Sequence, residues 1–261
     1  MKQPRISCDY SRLPGALLPA VTFMAAAALL HTAASYVFTG EAGVFAGALV
    51  TVPAVVLFRF LYGPVFLLKT ALPGDGAYTG VINPAEEGRH RSLLKATVVL
   101  AAFSGAVFCN ILLAMLVPAA FFTTEAGGKL HPAAMAAAFC LIAPACEELI
   151  FRCHLYPVLR RILGETAGVL LSAALFGLYH ADLVQGLYAA CMGTILCLCH
   201  RFLGGFAGAF TVHAAVNLLM LILSKTGAFG GMIRPAFLAS SGAVFAVSLY
   251  MHFYLRRVLH L

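Results

Sequence analysis

The chain has 261 residues, of which 62% are hydrophobic and only 10% charged. A soluble domain is about 45–50% apolar and about 25% charged, so this composition leaves too little polar surface for water and excludes an ordinary soluble protein. The net charge of +7, from 17 Lys and Arg against 10 Asp and Glu, is spread in short clusters between apolar runs. That pattern fits membrane loops facing anionic lipid and excludes a nucleic-acid arm.

A hydrocarbon core about 30 Å thick takes about 20 residues of helix to cross. The apolar runs predict eight spans, near 15–38, 43–68, 96–122, 133–156, 166–182, 183–200, 205–224 and 236–255. The expected fold is an all-α, polytopic transmembrane helical bundle. The first run exceeds the roughly 7–15 apolar residues of a signal peptide, so it reads as an uncleaved anchor. Arg59 interrupts the second run and is expected to snorkel to an interface. The stretch Pro73–Arg91, rich in Gly and Pro, reads as the one long polar loop. The fifth and sixth runs are short, and either two helices or one bent, re-entrant element would account for them.

Basic residues alternate along the chain. Lys2, Arg5 and Arg12 precede the first span; Lys69, Arg89, Arg91 and Lys95 flank the connection after the second. Arg160 and Arg161 follow the fourth, Arg201 the sixth, and Arg256 and Arg257 the eighth. The other connections are poorer: none near Thr39–Gly43 or Asp182, Lys129 after the third span, Lys225 and Arg234 after the seventh. By the positive-inside rule both termini are cytoplasmic. The eight cysteines, Cys8, Cys109, Cys140, Cys146, Cys153, Cys191, Cys197 and Cys199, form no paired CxxC pattern, and they read as small apolar packing residues.

Ionisable residues within spans are the informative exceptions, because Asp, Lys or Arg at a helix centre costs about 2.5–3.5 kcal/mol. The fourth span holds Glu147, Glu148 and Arg152. Glu148 and Arg152 are four apart and share a helical face, so they can pair. Glu147 is turned about 100° from Glu148 and is left to face a cavity. The bland alternative is a charged cluster at a helix end. His180 closes the fifth run, where a histidine alone usually serves packing. His213 and Asn217 share a face of the seventh span, and alone they would read as interhelical hydrogen-bonding residues. Together, a carboxylate, two imidazoles and an amide supply a general base, a second acid or base, and donors for an oxyanion. These groups suit the addition of water to a carbonyl.

The motifs EExxxR (Glu147, Glu148, Arg152), FxxxH (Phe176, His180) and HxxxN (His213, Asn217), in that order on successive spans, resemble those of the CAAX prenyl protease and bacteriocin-processing family. That family includes type II CAAX prenyl endopeptidases and many bacterial Abi-type membrane proteins. The resemblance covers roughly residues 130–225. It implies that Glu147 activates the attacking water with help from His180. It implies that His213 and Asn217 stabilise the oxyanion, and that Glu148 and Arg152 support the site. A zinc ion (Zn2+) held by Glu147, His180 and His213 is the alternative chemistry, although the HExxH spacing of zincins is absent. The metal-independent glutamate mechanism is the favoured expectation.

The expected organisation is motif-free N-terminal helices over 1–125, a catalytic core over 126–230, and a C-terminal helix with a basic tail over 231–261. The expected partners are a membrane-anchored protein or peptide substrate and the lipid bilayer, with no nucleic acid, and the expected location is a bacterial cytoplasmic membrane. A transporter or proton relay and a non-catalytic immunity or sorting partner are the rival readings. A transporter fits poorly without an internal repeat, and an interaction protein has no need of all four motif residues. His31, His90, His131, His154, His200, His252 and His260 match no motif and have no assigned role.

Overall fold

The structure is a computed structural model, and it describes residues 11, 13–38, 42, 46, 47, 49–67, 84–116, 131–180, 183–226 and 234–258. Every regular element among them is helical. In chain order they are α1 (Leu13–Val37), α2 (Thr51–Leu67), α3 (Pro84–Leu116), α4 (Pro132–Leu163), α5 (Glu165–Tyr179), α6 (Leu183–Phe202), α7 (Phe206–Lys225) and α8 (Arg234–Val258). Six of these are long and apolar enough to cross a membrane; α2 and α5 are shorter. Large apolar side chains such as Leu29, Phe60, Leu178 and Tyr250 point outward, while Glu148, Arg152 and His213 lie inside. Apolar outside with polar groups within is the arrangement a bilayer favours. The chain is an integral membrane protein built as a helical bundle.

The eight helices fall on the eight apolar runs, with one correction. The third helix begins at Pro84, so the end of the expected Pro73–Arg91 loop is helical. Proline suits this place because the first helical residues have no intrahelical use for their N–H. The rest of that loop, Lys2, Arg5, Cys8, Arg12, Lys69, Lys129, Asp182, His260 and the side chains of Arg59 and Arg234 lie outside the described residues.

Two apolar clusters organise the bundle. Phe23 of α1, Phe58 of α2, Phe151 of α4 and Phe176 of α5 belong to one, in which Phe23 meets both Phe58 and Phe151 edge-on. Val98 and Ala102 of α3, Met192 and Ile195 of α6, and Val212 and Val216 of α7 belong to the other. The first apolar run is therefore part of the core. On one side of the bundle Arg160 and Arg201 both pair with Glu165, whose other oxygen accepts from the Tyr156 hydroxyl at 3.1 Å. This carboxylate joins the ends of α4 and α6 to the start of α5. Arg256 of α8 reaches the same region, 5.6 Å from the Phe202 ring. The seven described cysteines are free thiols, and those of Cys109 and Cys191 hydrogen-bond each other between α3 and α6.

The fourth helix is not uniformly α-helical. Ala136–Ile142 and Glu148–Leu155 are π-helical, and each stretch ends two residues before a proline, Pro144 and Pro157. In the first stretch the Ala143 N–H bonds the Ala138 carbonyl, five residues back. The next donor in that ladder would be Pro144, which has no N–H, so the Phe139 carbonyl is left without a backbone partner. Such π segments are rare and concentrate at functional sites. The helix starts on His131, whose ring accepts from the Ala133 N–H, and it ends at Gly164, where φ is +85°. That backbone favours glycine and turns the chain directly into α5.

The short runs five and six are two separate helices, α5 and α6. They meet at Gly177 and Gly186: a Cβ on Gly177 would lie 2.6 Å from the Gly186 oxygen. Small residues permit such close backbone contact between membrane helices. Gly177 stands three residues before His180, so this contact also fixes the depth of that ring. Gly177→Leu is expected to part the two helices and lower the melting temperature in detergent; a melting curve matching wild type would contradict this.

Candidate active site

At about 1.5 Å per residue, the 15 residues of α5 span about 22 Å, well short of a hydrocarbon core about 30 Å thick. It starts at the Glu165 cluster on one side of the bundle and stops inside. His180, at its C-terminal end, is half-buried. Its Nδ1–H donates to the Phe176 carbonyl at 2.8 Å, since a carbonyl can only accept. In the neutral ring Nε2 then keeps its lone pair.

Glu147 and Glu148 sit where α4 passes from α-helix to π-helix: the first ends the α segment, the second begins the π segment. This junction sends the neighbouring carboxylates in different directions. Glu148 is fully buried, with Oε2 3.4 Å from Arg152 Nε and Oε1 2.8 Å from His213 Nδ1. The expected Glu148–Arg152 pair is present, and His213 of α7 joins it. Arg152 is also fully buried; its guanidinium lies 4.0 Å from the Phe176 ring centre, and among the described residues its Nη atoms have no hydrogen-bond partner. A weakly hydrated, planar cation tolerates this placement better than an ammonium would.

Glu147 keeps 7% exposure and lines a cavity, as expected from its rotation away from Glu148. Its Oε2 lies 3.7 Å from His213 Nε2, so it faces the imidazole rather than standing alone. His213 is thus held between two carboxylates, bonded to Glu148 through Nδ1 and facing Glu147 through Nε2. Phe176, the aromatic of the FxxxH motif, contacts the histidines edge-on, with ring centres 4.8 Å from His180 and 6.0 Å from His213. It carries Arg152 on its face.

Asn217 is one turn beyond His213 on α7. Its Nδ2 donates to the Phe139 carbonyl at 2.8 Å, the group that Pro144 leaves without a backbone donor. The amide therefore does the interhelical work that the bland reading assigns to it. Its second hydrogen is not used by that bond, and Asn217 also lines the cavity.

The cavity has a volume of about 440 Å³ and is lined by Glu147, His180, His213 and Asn217, along with Phe176, Tyr188 and others. It lies at the seam of the two apolar clusters, with Phe176 and Ala189 from one and Met192 and Val216 from the other. Glu148 and Arg152 stand behind the wall. The six expected site residues are thus assembled in two layers from α4, α5 and α7.

Residues 129–219 match the Rce1-like family of type II CAAX prenyl endopeptidases. No curated protein and no solved structure shows a significant match to the chain. The Rce1-like segment begins just before α4 and ends just past Asn217, so it holds all six residues; α1, α2, α3 and α8 lie outside it. The similarity supports, in general terms, a CAAX-type intramembrane endopeptidase with a protein substrate.

Two of the three expected zinc ligands, Glu147 and His213, lie 3.7 Å apart. Catalytic zinc takes three protein ligands, and among the described residues no three His, Cys, Asp or Glu side chains converge closely enough to hold a metal. Polar lining residues outside the motifs went unrecognised in the sequence: Asn110 of α3, and Gln185 and Tyr188 of α6. An asparagine in an apolar span is the signal that points to the first.

Proposed function

We propose that the chain hydrolyses a peptide bond of a membrane-anchored protein or peptide, without a metal, in the cavity between α3, α4, α5, α6 and α7. The observation that carries this reading is the convergence of Glu147, His180, His213 and Asn217 on one cavity of about 440 Å³ inside an apolar bundle. Water held against Glu147 and His180 gives up a proton to the Glu147 carboxylate, and its oxygen attacks the carbonyl carbon. His180 orients that water through Nε2, since Nδ1 is committed to the Phe176 carbonyl.

The carbonyl oxygen becomes an oxyanion, facing Asn217 and His213. Asn217 offers its second Nδ2 hydrogen. His213 donates through Nε2 only when its ring carries both protons, and Glu148 then supplies the counter charge through Nδ1, while Arg152 balances Glu148. The tetrahedral intermediate collapses, the C–N bond breaks, and the proton taken by Glu147 passes to the departing amine. The products are one carboxylate and one amine. The two termini and the basic ends of α4, α6 and α8 are assigned to the cytoplasmic side, on the charge pattern.

The reading is tested by incubating the purified full chain in detergent with a quenched fluorescent, lipid-anchored peptide. Cleavage is expected to persist with a strong chelator. Asn217→Ala is expected to slow it on the order of 10²–10³-fold, the usual cost of losing one oxyanion donor. The same change strips the Phe139 carbonyl of its donor and is expected to destabilise the fold by about 1–3 kcal/mol. Loss of cleavage with chelator and recovery with zinc would overturn the metal-independent mechanism. A wild-type rate in Asn217→Ala would remove Asn217 from the oxyanion site.

A further inference from the structure

The cavity has a polar group on the wall opposite in sequence to the motifs. Asn110 lies on α3, outside the Rce1-like segment, in the apolar run Ala101–Leu116. Hydrocarbon-embedded polar residues are retained where they face a bundle interior and meet a partner or a substrate. The other polar residues of α3's membrane portion have local partners: the hydroxyls of Thr97 and Ser104 bond the carbonyls of Leu94 and Leu100, and Thr97 also meets His252. Cys109 is taken by Cys191. Asn110 makes no hydrogen bond among the described residues, yet it lines the cavity together with Leu113, one turn further along the same face. An asparagine serving as interhelical glue would be bonded across the interface, as Asn217 is to Phe139.

A side-chain amide carries one acceptor and two donors side by side. That is the complement of a peptide group, which presents one N–H and one C=O. We propose that Asn110 binds the substrate, pairing with a backbone peptide group of the extended chain lying in the cavity. Leu113 and Met192 give that chain apolar contact. The carboxylate and imidazoles of α4, α5 and α7 reach the scissile carbonyl. Recognition through backbone amides places no demand on the side chain at that position. The substrate class is therefore an extended peptide segment, with its backbone unpaired, entering from its membrane anchor. This rests on the protease reading above.

The test uses the full chain in detergent with the lipid-anchored peptide and a series of its analogues, each N-methylated at one backbone position. Asn110→Leu is expected to raise KM roughly tenfold with little change in kcat, the signature of lost ground-state binding worth about one hydrogen bond. One N-methylated analogue is expected to be cleaved poorly by wild type but no worse than the parent peptide by Asn110→Leu. A merely structural role for Asn110 would not single out one backbone position. Should Asn110→Leu melt below wild type, Asn110→Ser carries the same measurement. An unchanged KM, or equal sensitivity of both proteins to every N-methyl group, would overturn the assignment. Absence of cleavage by wild type would instead overturn the protease reading on which this inference rests.

Discussion

Glu147→Gln is expected to cut the rate of peptide cleavage by about 10²–10⁴-fold, the range for losing a positioned general base, while the protein folds and melts as wild type does. Glutamine keeps the size of the side chain, and its amide can still face His213 Nε2, so packing in the cavity is preserved. What is lost is the basic oxygen that takes the water's proton in the proposed mechanism. The prediction is specific to this acid. Glu147 lines the cavity with 7% exposure, whereas Glu148, its neighbour, is fully buried and bonded to His213 and Arg152. The check is a kcat measurement on detergent-purified protein with a melting curve alongside.

Arg152→Met is expected to destabilise the fold by about 3–5 kcal/mol, because it leaves the buried Glu148 charge without its guanidinium counter-ion and with only the His213 hydrogen bond. The loss has two parts. The ion pair at 3.4 Å disappears, and so does the cation lying 4.0 Å from the Phe176 ring centre. Phe176 contacts both cavity-lining imidazoles, so the disturbance reaches His180 and His213. The double variant Arg152→Met with Glu148→Gln removes both charges and is expected to recover much of the melting temperature. It should remain a poor enzyme, since a neutral residue 148 no longer balances a doubly protonated His213. Melting curves in detergent check the first claim and cleavage rates the second. A single variant as stable as wild type would show that the pair is not needed in the folded state.

Much of this arrangement is legible in local spacing. Four residues separate Glu148 from Arg152 and His213 from Asn217, and each pair lies along one helical face. The apolar runs mark the eight helices named above, six of them long enough to cross a bilayer. What spacing does not reveal is contact between distant residues. The His213–Glu148 bond joins positions 65 apart, and Asn217 reaches Phe139 across 78. Both depend on how α4 and α7 pack, which no short pattern encodes. The π segments of α4 were also hidden, although Pro144 and Pro157 inside one long run signal a broken hydrogen-bond ladder. The start of α3 at Pro84 is obscured for the opposite reason. The Gly- and Pro-rich stretch before it reads as loop, and its last residues take the helical course set by the run that follows. No motif on α3 singles out Asn110; the cost of an amide in a hydrocarbon span is the sign it offers.

The most direct measurement follows cleavage of the lipid-anchored peptide in H₂¹⁸O by wild type and Glu147→Gln side by side, with products read by mass spectrometry. Wild type is expected to place one ¹⁸O in the newly formed C-terminal carboxylate, and Glu147→Gln is expected to yield labelled product only at the background rate. Labelled product formed by Glu147→Gln as fast as by wild type would contradict the claim that Glu147 activates the water.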